Sequence, residues 1–226
     1  MTEKIVPNIL VGVTAEPKNG KTHFAMTFPD PIKVFSFDIG ADFVRGKFPK
    51  KQIDIQNFFI PIIDSDPPPP YAEKMWNEFK AMYKKDIESH QYKTVIIDTA
   101  TALWQVIHQG YTEEKQRKKI LEVEYYVPNL RMNSIFQAAR LSGTNLVTTQ
   151  YIGAIYEHGE DTGAKKIQGW GQTAGAVDID LWLEAIDKGE THINRATIKK
   201  ARFGRELNGA QFDDLTYTRL MALLGV

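Results

Sequence analysis

The sequence predicts an α/β fold in which a mostly parallel central sheet is covered by helices on both faces. Three observations lead there. Short apolar, β-branched runs alternate along the chain with segments of helical period. The first run passes through a glycine-lysine turn straight into a helix, in GVTAEPKNGKTHFAMTF at residues 12–28. Two of the runs end in an aspartate, Asp38 and Asp98. A chain of 226 residues suits a single domain, 1–226, with length enough to bury a core.

Each element has its own justification. NILVGVT (8–14) is a buried strand, and the helix that opens at Thr22 is closed by Pro29 and Pro31. IKVFSFD (32–38) is a second strand and NFFIPII (57–63) a short third one. Pro67 to Pro70 form a stiff extended connector, flanked on both sides by strands of similar type and therefore no domain boundary. Met75, Trp76, Phe79, Met82, Tyr83 and Ile87 recur at helical spacing, which predicts an amphipathic helix over 71–90. KTVIIDTA (93–100) is the clearest strand of the chain. A helix over 101–109, a charged segment over 112–124 and a helix over 128–142 follow, then the strand NLVTTQ (145–150). The glycine-rich stretch 153–176 reads as a long loop, and VDIDLWLEAI and THINRATIKKAR read as late strands. No internal repeat is visible.

Composition narrows the function classes. The formal net charge is zero, so any nucleic-acid contact must come from local basic patches. The absence of cysteine removes disulfides, thiolate metal sites and cysteine nucleophiles. Five histidines show no ligand spacing. The apolar patch in MTEKIVPNILVGV is too short for a secretory signal or a membrane span, so a cytoplasmic location with no membrane partner is expected.

The stretch after the first strand matches G-x-x-x-x-G-K-[ST] except at its first position. It reads Ala15, Glu16, Pro17, Lys18, Asn19, Gly20, Lys21, Thr22, with His23 next. Such a loop turns backbone N–H groups towards phosphate oxygens at a helix start. Gly20 lets the backbone approach, Lys21 supplies a positive charge, and the Thr22 hydroxyl suits Mg²⁺. A methyl group at Ala15 is tolerated if its φ is negative and costs about 1 kcal/mol or more otherwise. Asp98, at the end of the 93–100 strand, is the matching carboxylate for Mg²⁺. A magnesium-bound nucleotide is the ligand these residues predict.

Together, AEPKNGKTHFAMTFPDPIKVFSFDIGAD, KTVIIDTATALW, NLVTTQYIGAIYE and KKARFG make the chain resemble the phage RecA-like P-loop ATPases over essentially its whole length. The resemblance implies a RecA-like P-loop NTPase fold, ATP hydrolysis, and assembly of copies into a ring or filament. It implies action on single-stranded DNA in recombination or annealing, with a single-strand-binding protein as a further partner and, for a phage-encoded chain, the host cytoplasm as its location. Among its residues, Lys21 and Asp98 would be catalytic, Asp98 followed by Thr99 being similar to the RecA-type arrangement. Gln150 would sense the terminal phosphate, and Lys200 and Arg202 would reach a neighbouring subunit's nucleotide. Residues 195–205 hold five Lys or Arg and no acidic residue. DNA contacts would come from 110–131, with Tyr125, Tyr126 and Arg131, and from 151–176, with Tyr151, Tyr156, Lys165, Lys166 and Trp170.

One departure stands out. Members of that group place a catalytic glutamate after the second strand, where this chain has Asp38-Ile39-Gly40-Ala41-Asp42 with Gly40 at the position concerned. Asp38, Asp42 or Glu16 are the available substitutes. Two other readings follow: a nucleotide-gated assembly or loader protein that hydrolyses poorly, and a nucleotide kinase. The kinase needs an arginine-rich lid, and 153–176 contains no arginine.

Overall fold

The computed structural model describes residues 8–65, 69–117, 119–157, 160–189 and 191–225. Its sheet strands are β1 (Leu10–Ala15), β2 (Ile32–Ser36), β3 (Ile53–Asn57), β4 (Thr94–Asp98), β5 (Asn145–Glu157), β6 (Glu160–Ile167), β7 (Ile179–Lys188), β8 (Thr191–Ala201) and β9 (Gln211–Asp213). The helices are α1 (Lys21–Met26), α2 (Ala41–Arg45), α3 (Ala72–Ser89), α4 (Ala100–Glu114), α5 (Tyr126–Ser142), α6 (Thr173–Ala176) and α7 (Tyr217–Leu223). The strand order is β3-β2-β4-β5-β1-β7-β8-β9. Strands β1 to β5 and β7 run parallel, while β8 and β9 extend the sheet antiparallel. The strand carrying the phosphate-loop motif is thus separated from the Asp98 strand by β5 alone.

Alternation along the strands divides the core into two layers. Val11 and Val13 of β1, Ile96 of β4, Val147 of β5 and Leu181 of β7 pack with Phe24, Ala25 and Phe28 on the α1 side. Leu10, Val95, Ile97 and Leu146 face α3, α4 and α5 on the other. There Phe79 meets Phe35 edge-on at 5.2 Å, and Phe37 stacks on Phe58 at 4.7 Å. The predicted face of α3 is buried, with Met75, Trp76, Phe79, Tyr83 and Ile87 inside. His90 ends the helix in a left-handed conformation at φ 52°.

Several boundaries differ from the sequence reading. The third strand lies at Ile53–Asn57 rather than 57–63; Phe58 is buried, but Phe59 and Ile60 are exposed and make no strand. Two of the four prolines of the connector lie outside the described residues. α4 continues to Glu114, capped by the Thr99 hydroxyl, which accepts from the Ala102 N–H at 3.2 Å.

The expected loop over 153–176 is the main correction. β5 runs on to Glu157 and returns antiparallel as β6, with Ile152 opposite Ile167 and Gly153 opposite Lys166. Gln168 N–H closes the base of this arm on the Tyr151 carbonyl at 2.8 Å. Glycine weakens strand preference, but pairing with a nearby segment overrides it. β9 and α7, which the sequence reading lacked, close the carboxyl-terminal edge.

Candidate nucleotide site

The site lies where β1, β2 and β4 end, beside the middle of β5. Ala15 is the last residue of β1, extended and buried in the α1-side core, so its methyl group adds packing without backbone strain. The left-handed residues of the loop are Lys18 at φ 66° and Gly20 at φ 77°. Gly20 is required there twice over, because a Cβ would also lie 2.8 Å from Asn194 Oδ1. Glu16, Pro17 and Lys18 are exposed.

Lys21 is the first residue of α1 and is buried. Its ammonium donates to the carbonyls of Ala15 (3.2 Å) and Glu16 (2.8 Å) and stands 4.6 Å above the centre of the Tyr151 ring. Burial pushes its pKa down, opposed by the charges of Asp98 and Asp38. Thr22, one residue on, donates its hydroxyl to Asp98 Oδ2 at 2.9 Å, and Thr149 of β5 donates to Asp98 Oδ1 at 2.5 Å. Asp98 is fully buried. Burial raises its pKa to about 6, helped by Asp38 and opposed by the two hydroxyls and Lys21.

These donors fit Mg²⁺ and a polyphosphate. The Thr22 hydroxyl spends its hydrogen on Asp98 and keeps its oxygen lone pairs for a cation. Lys21, held on two carbonyls of its own loop, is already aimed along the turn that phosphates would fill. Two cavities flank the loop. One of about 160 Å³ is lined by Gly20, His23, Phe24, Leu183, Asn194, Asp214, Leu215 and Thr216. Another of about 350 Å³ lies beside Glu16 and Asn19, against Lys165, Trp182, Thr197 and Lys199. His23 is exposed at the edge of the first, its ring 5.0 Å from Phe48.

Other expected residues lie elsewhere. Gln150 is buried on the opposite face of the sheet, where its amide donates to Thr173 Oγ1 at 2.9 Å. Tyr151, the next residue, faces the loop instead, and its hydroxyl donates to Asp38 Oδ2 at 2.9 Å. Alternation decides this: Thr149 and Tyr151 share the α1 side, Thr148 and Gln150 the other. Sequence reading gave Tyr151 only a DNA role, although the period-2 rule applied outwards from Val147 carries the signal.

Lys200 and Arg202 lie at the far end of the sheet. Lys200 is opposite Asp180, and Arg202 is 3.4 Å from Asp178, whose other oxygen accepts the Leu10 N–H at the start of β1. Through Asp180 and Asp178, Lys200 is level with Gly12 and Arg202 with Leu10, about 10 and 17 Å along β1 from Ala15 at 3.3 Å per residue.

The expected DNA contacts divide. Trp170 departs from a base-stacking role: it is 1% exposed, stacks on Phe136 at 5.3 Å and donates to Asn129 Oδ1 at 2.8 Å. Arg131 is occupied by Glu114 at 2.5 Å and lies over the rings of Trp76 and Tyr111. Lys165 pairs with Glu16 at 2.6 Å, and Lys166 is exposed on β6. Tyr125 and Tyr126 are exposed beside Leu121 and Val123, and the side chain of Tyr156 lies outside the described residues.

A mostly parallel sheet with a lysine loop after its first strand and a buried aspartate two strands away defines a RecA-like P-loop ATPase fold. The chain belongs to a family of AAA domains, whose model matches residues 8–125. It is similar in structure to the KaiC-like protein PH0186 from the hyperthermophilic archaeon Pyrococcus horikoshii OT3. The two share 13% identity at a TM-score of 0.57, over 92% of this chain and 85% of that one. No curated protein matches the chain. Among the described residues no helix is long and apolar enough to cross a membrane.

Proposed function

We propose that the chain binds ATP with Mg²⁺ on residues 15–22, hydrolyses it, and assembles with copies of itself to act on single-stranded DNA. One observation carries the nucleotide part. Thr22 and Asp98, 76 residues apart, meet at 2.9 Å beside a buried lysine whose ammonium rests on its own loop. A hydroxyl, a carboxylate and an ammonium so placed suit a metal-bound polyphosphate. Mg²⁺, once bound, would neutralise charge developing on the phosphates. Thr22 would hold it directly, Asp98 from behind, and Lys21 would move from the loop carbonyls to the phosphate oxygens.

Assembly rests on Lys200 and Arg202. They lie towards the end of the sheet away from their own loop, Arg202 beside Asp178 and the start of β1, which suits a nucleotide site completed on a neighbour. DNA contact rests on the β5–β6 arm, which carries exposed Lys166 and continues β5 beyond the site. The phage recombination setting, with a single-strand-binding protein as partner, rests on the resemblance of the sequence blocks alone.

Hydrolysis by purified protein, with and without single-stranded DNA, tests the proposal beside a Lys21→Ala control. Turnover that rises with DNA and disappears in the control is the expected result. Gly40 supports a second reading, a nucleotide-gated assembly or loader protein with little hydrolysis, because it offers no carboxylate to an attacking water. ATP binding without turnover would select it.

A further inference from the structure

Asp38, Asp42 and Glu16 are the three carboxylates that could stand in for the glutamate missing at Gly40, and the structure separates them. Asp42 accepts from the Asn57 side chain at 2.8 Å, turned towards β3. Glu16 is held by Lys165 on the arm at 2.6 Å. Asp38 stands two residues beyond β2, the neighbour of β4. Its backbone is fixed there because Phe37 N–H donates to the Asp98 carbonyl at 2.6 Å. The carboxylate is exposed, accepts the Gly40 N–H at 3.1 Å through Oδ1 and the Tyr151 hydroxyl at 2.9 Å through Oδ2. Its charge acts on Lys21, Asp98 and Tyr151 alike.

Resting on the nucleotide reading above, we infer that Asp38 is the carboxylate that orients the attacking water and that Tyr151 is its positioning residue. Tyr151 is well placed for that task. It pairs in register with Ala15 at the loop's start, its N–H donates to Thr101 Oγ1 at 3.0 Å, and its ring lies under Lys21. One side chain therefore touches the phosphate-binding lysine by its face and the water-orienting carboxylate by its hydroxyl. Gly40 belongs to the same arrangement. A Cβ at that position would come 3.3 Å from Asp38 Oδ1, so the absence of a side chain there leaves the aspartate its room.

In the reaction the water oxygen bonds to the terminal phosphorus, and the bridging P–O bond breaks with its electron pair leaving on the diphosphate. The water proton passes to Asp38 and from there to the released phosphate. Tyr151 is also the first residue of the base of the β5–β6 arm.

The test uses the full chain, a fluorescent ATP analogue with Mg²⁺ for binding, and phosphate release for turnover. Asp38→Asn should lower kcat about 100-fold, as loss of a general base does, with analogue affinity kept within about threefold. Asp38→Glu should recover part of the loss. Tyr151→Phe, which retains the ring over Lys21, should lower kcat about tenfold with affinity unchanged, a split that a merely structural role would not produce. Wild-type turnover in both Asp38→Asn and Tyr151→Phe overturns the inference and leaves the nucleotide site standing. A wild-type protein that binds the analogue and never releases phosphate also overturns it. Failure of the wild type to bind at all, with Lys21→Ala indistinguishable from it, removes the nucleotide reading itself.

Discussion

The two faces of the sheet treat polar side chains in opposite ways, although they are built from adjacent residues of the same strands. On the α1 face, Thr149 and Tyr151 are engaged with Asp98, Asp38 and Lys21. On the face covered by α6, Thr14 Oγ1, Thr148 Oγ1, Gln150 Oε1, Asp180 Oδ1 and Trp182 Nε1 are buried with no hydrogen-bond partner among the described residues. Ser36, beside Asp98 in register, and Asn57 Oδ1, beside Ser36, are the exceptions on the first face. A buried polar group without a partner costs roughly 1–3 kcal/mol. The contrast teaches that the engaged face is the one organised for chemistry, and that a one-residue shift moves a side chain from one regime to the other.

Changes on the engaged face should have the largest effects. Lys21→Ala should reduce ATP turnover by about 1,000-fold or more, read as phosphate release at saturating nucleotide. Thr149→Val removes one of the two hydroxyls on Asp98, worth about 1.5–3 kcal/mol for a bond to a charged group, so turnover should fall about tenfold or more. Its neighbour supplies the comparison: Thr148→Val should leave turnover unchanged. Equal losses in the two valine variants would erase the distinction between the faces.

On the α6 face the effects should appear in stability. Burial raises the Asp180 pKa to about 6 from 3.8, against the pull of Lys200 and Lys199. The folded form therefore favours the protonated acid; that contribution is fully present below about pH 3.8 and is lost as pH rises through about 6. Asp180→Asn should accordingly be more stable than wild type at pH 8, by on the order of 1–3 kcal/mol in urea unfolding, with the gain disappearing at pH 4. The smallest expected change is Thr14→Val, within about 1 kcal/mol of wild type and of stabilising sign, since it replaces a hydroxyl without a partner by a methyl group. A large destabilisation would mean that Thr14 has a partner when the protein is in solution.

The sequence made the loop, the Asp98 strand and the buried face of α3 legible, because each depends on short-range spacing. It misplaced what depends on distant contacts. Trp170 among glycines has the composition of an exposed ligand ring, yet Asn129 and Phe136, more than thirty residues away, bury it. The β5–β6 arm was hidden because glycine content conceals alternation. Gln150 and Tyr151 were both visible, but which of them faces the loop is a question of register, settled by the pairing of β5 with β1.

The placement of Lys200 and Arg202 at the opposite end of β1 from the loop also has a numerical consequence. Copies joined head to tail through these two ends form a heterologous interface, which either closes or propagates. On the trans role proposed for these residues, the terminal loop of an open chain would lack a neighbour's cations, so a filament would carry one unfinished site and a closed assembly none. Hydrolysis per subunit would then climb with filament length and collapse on dilution, while a ring would work at one fixed rate until it broke.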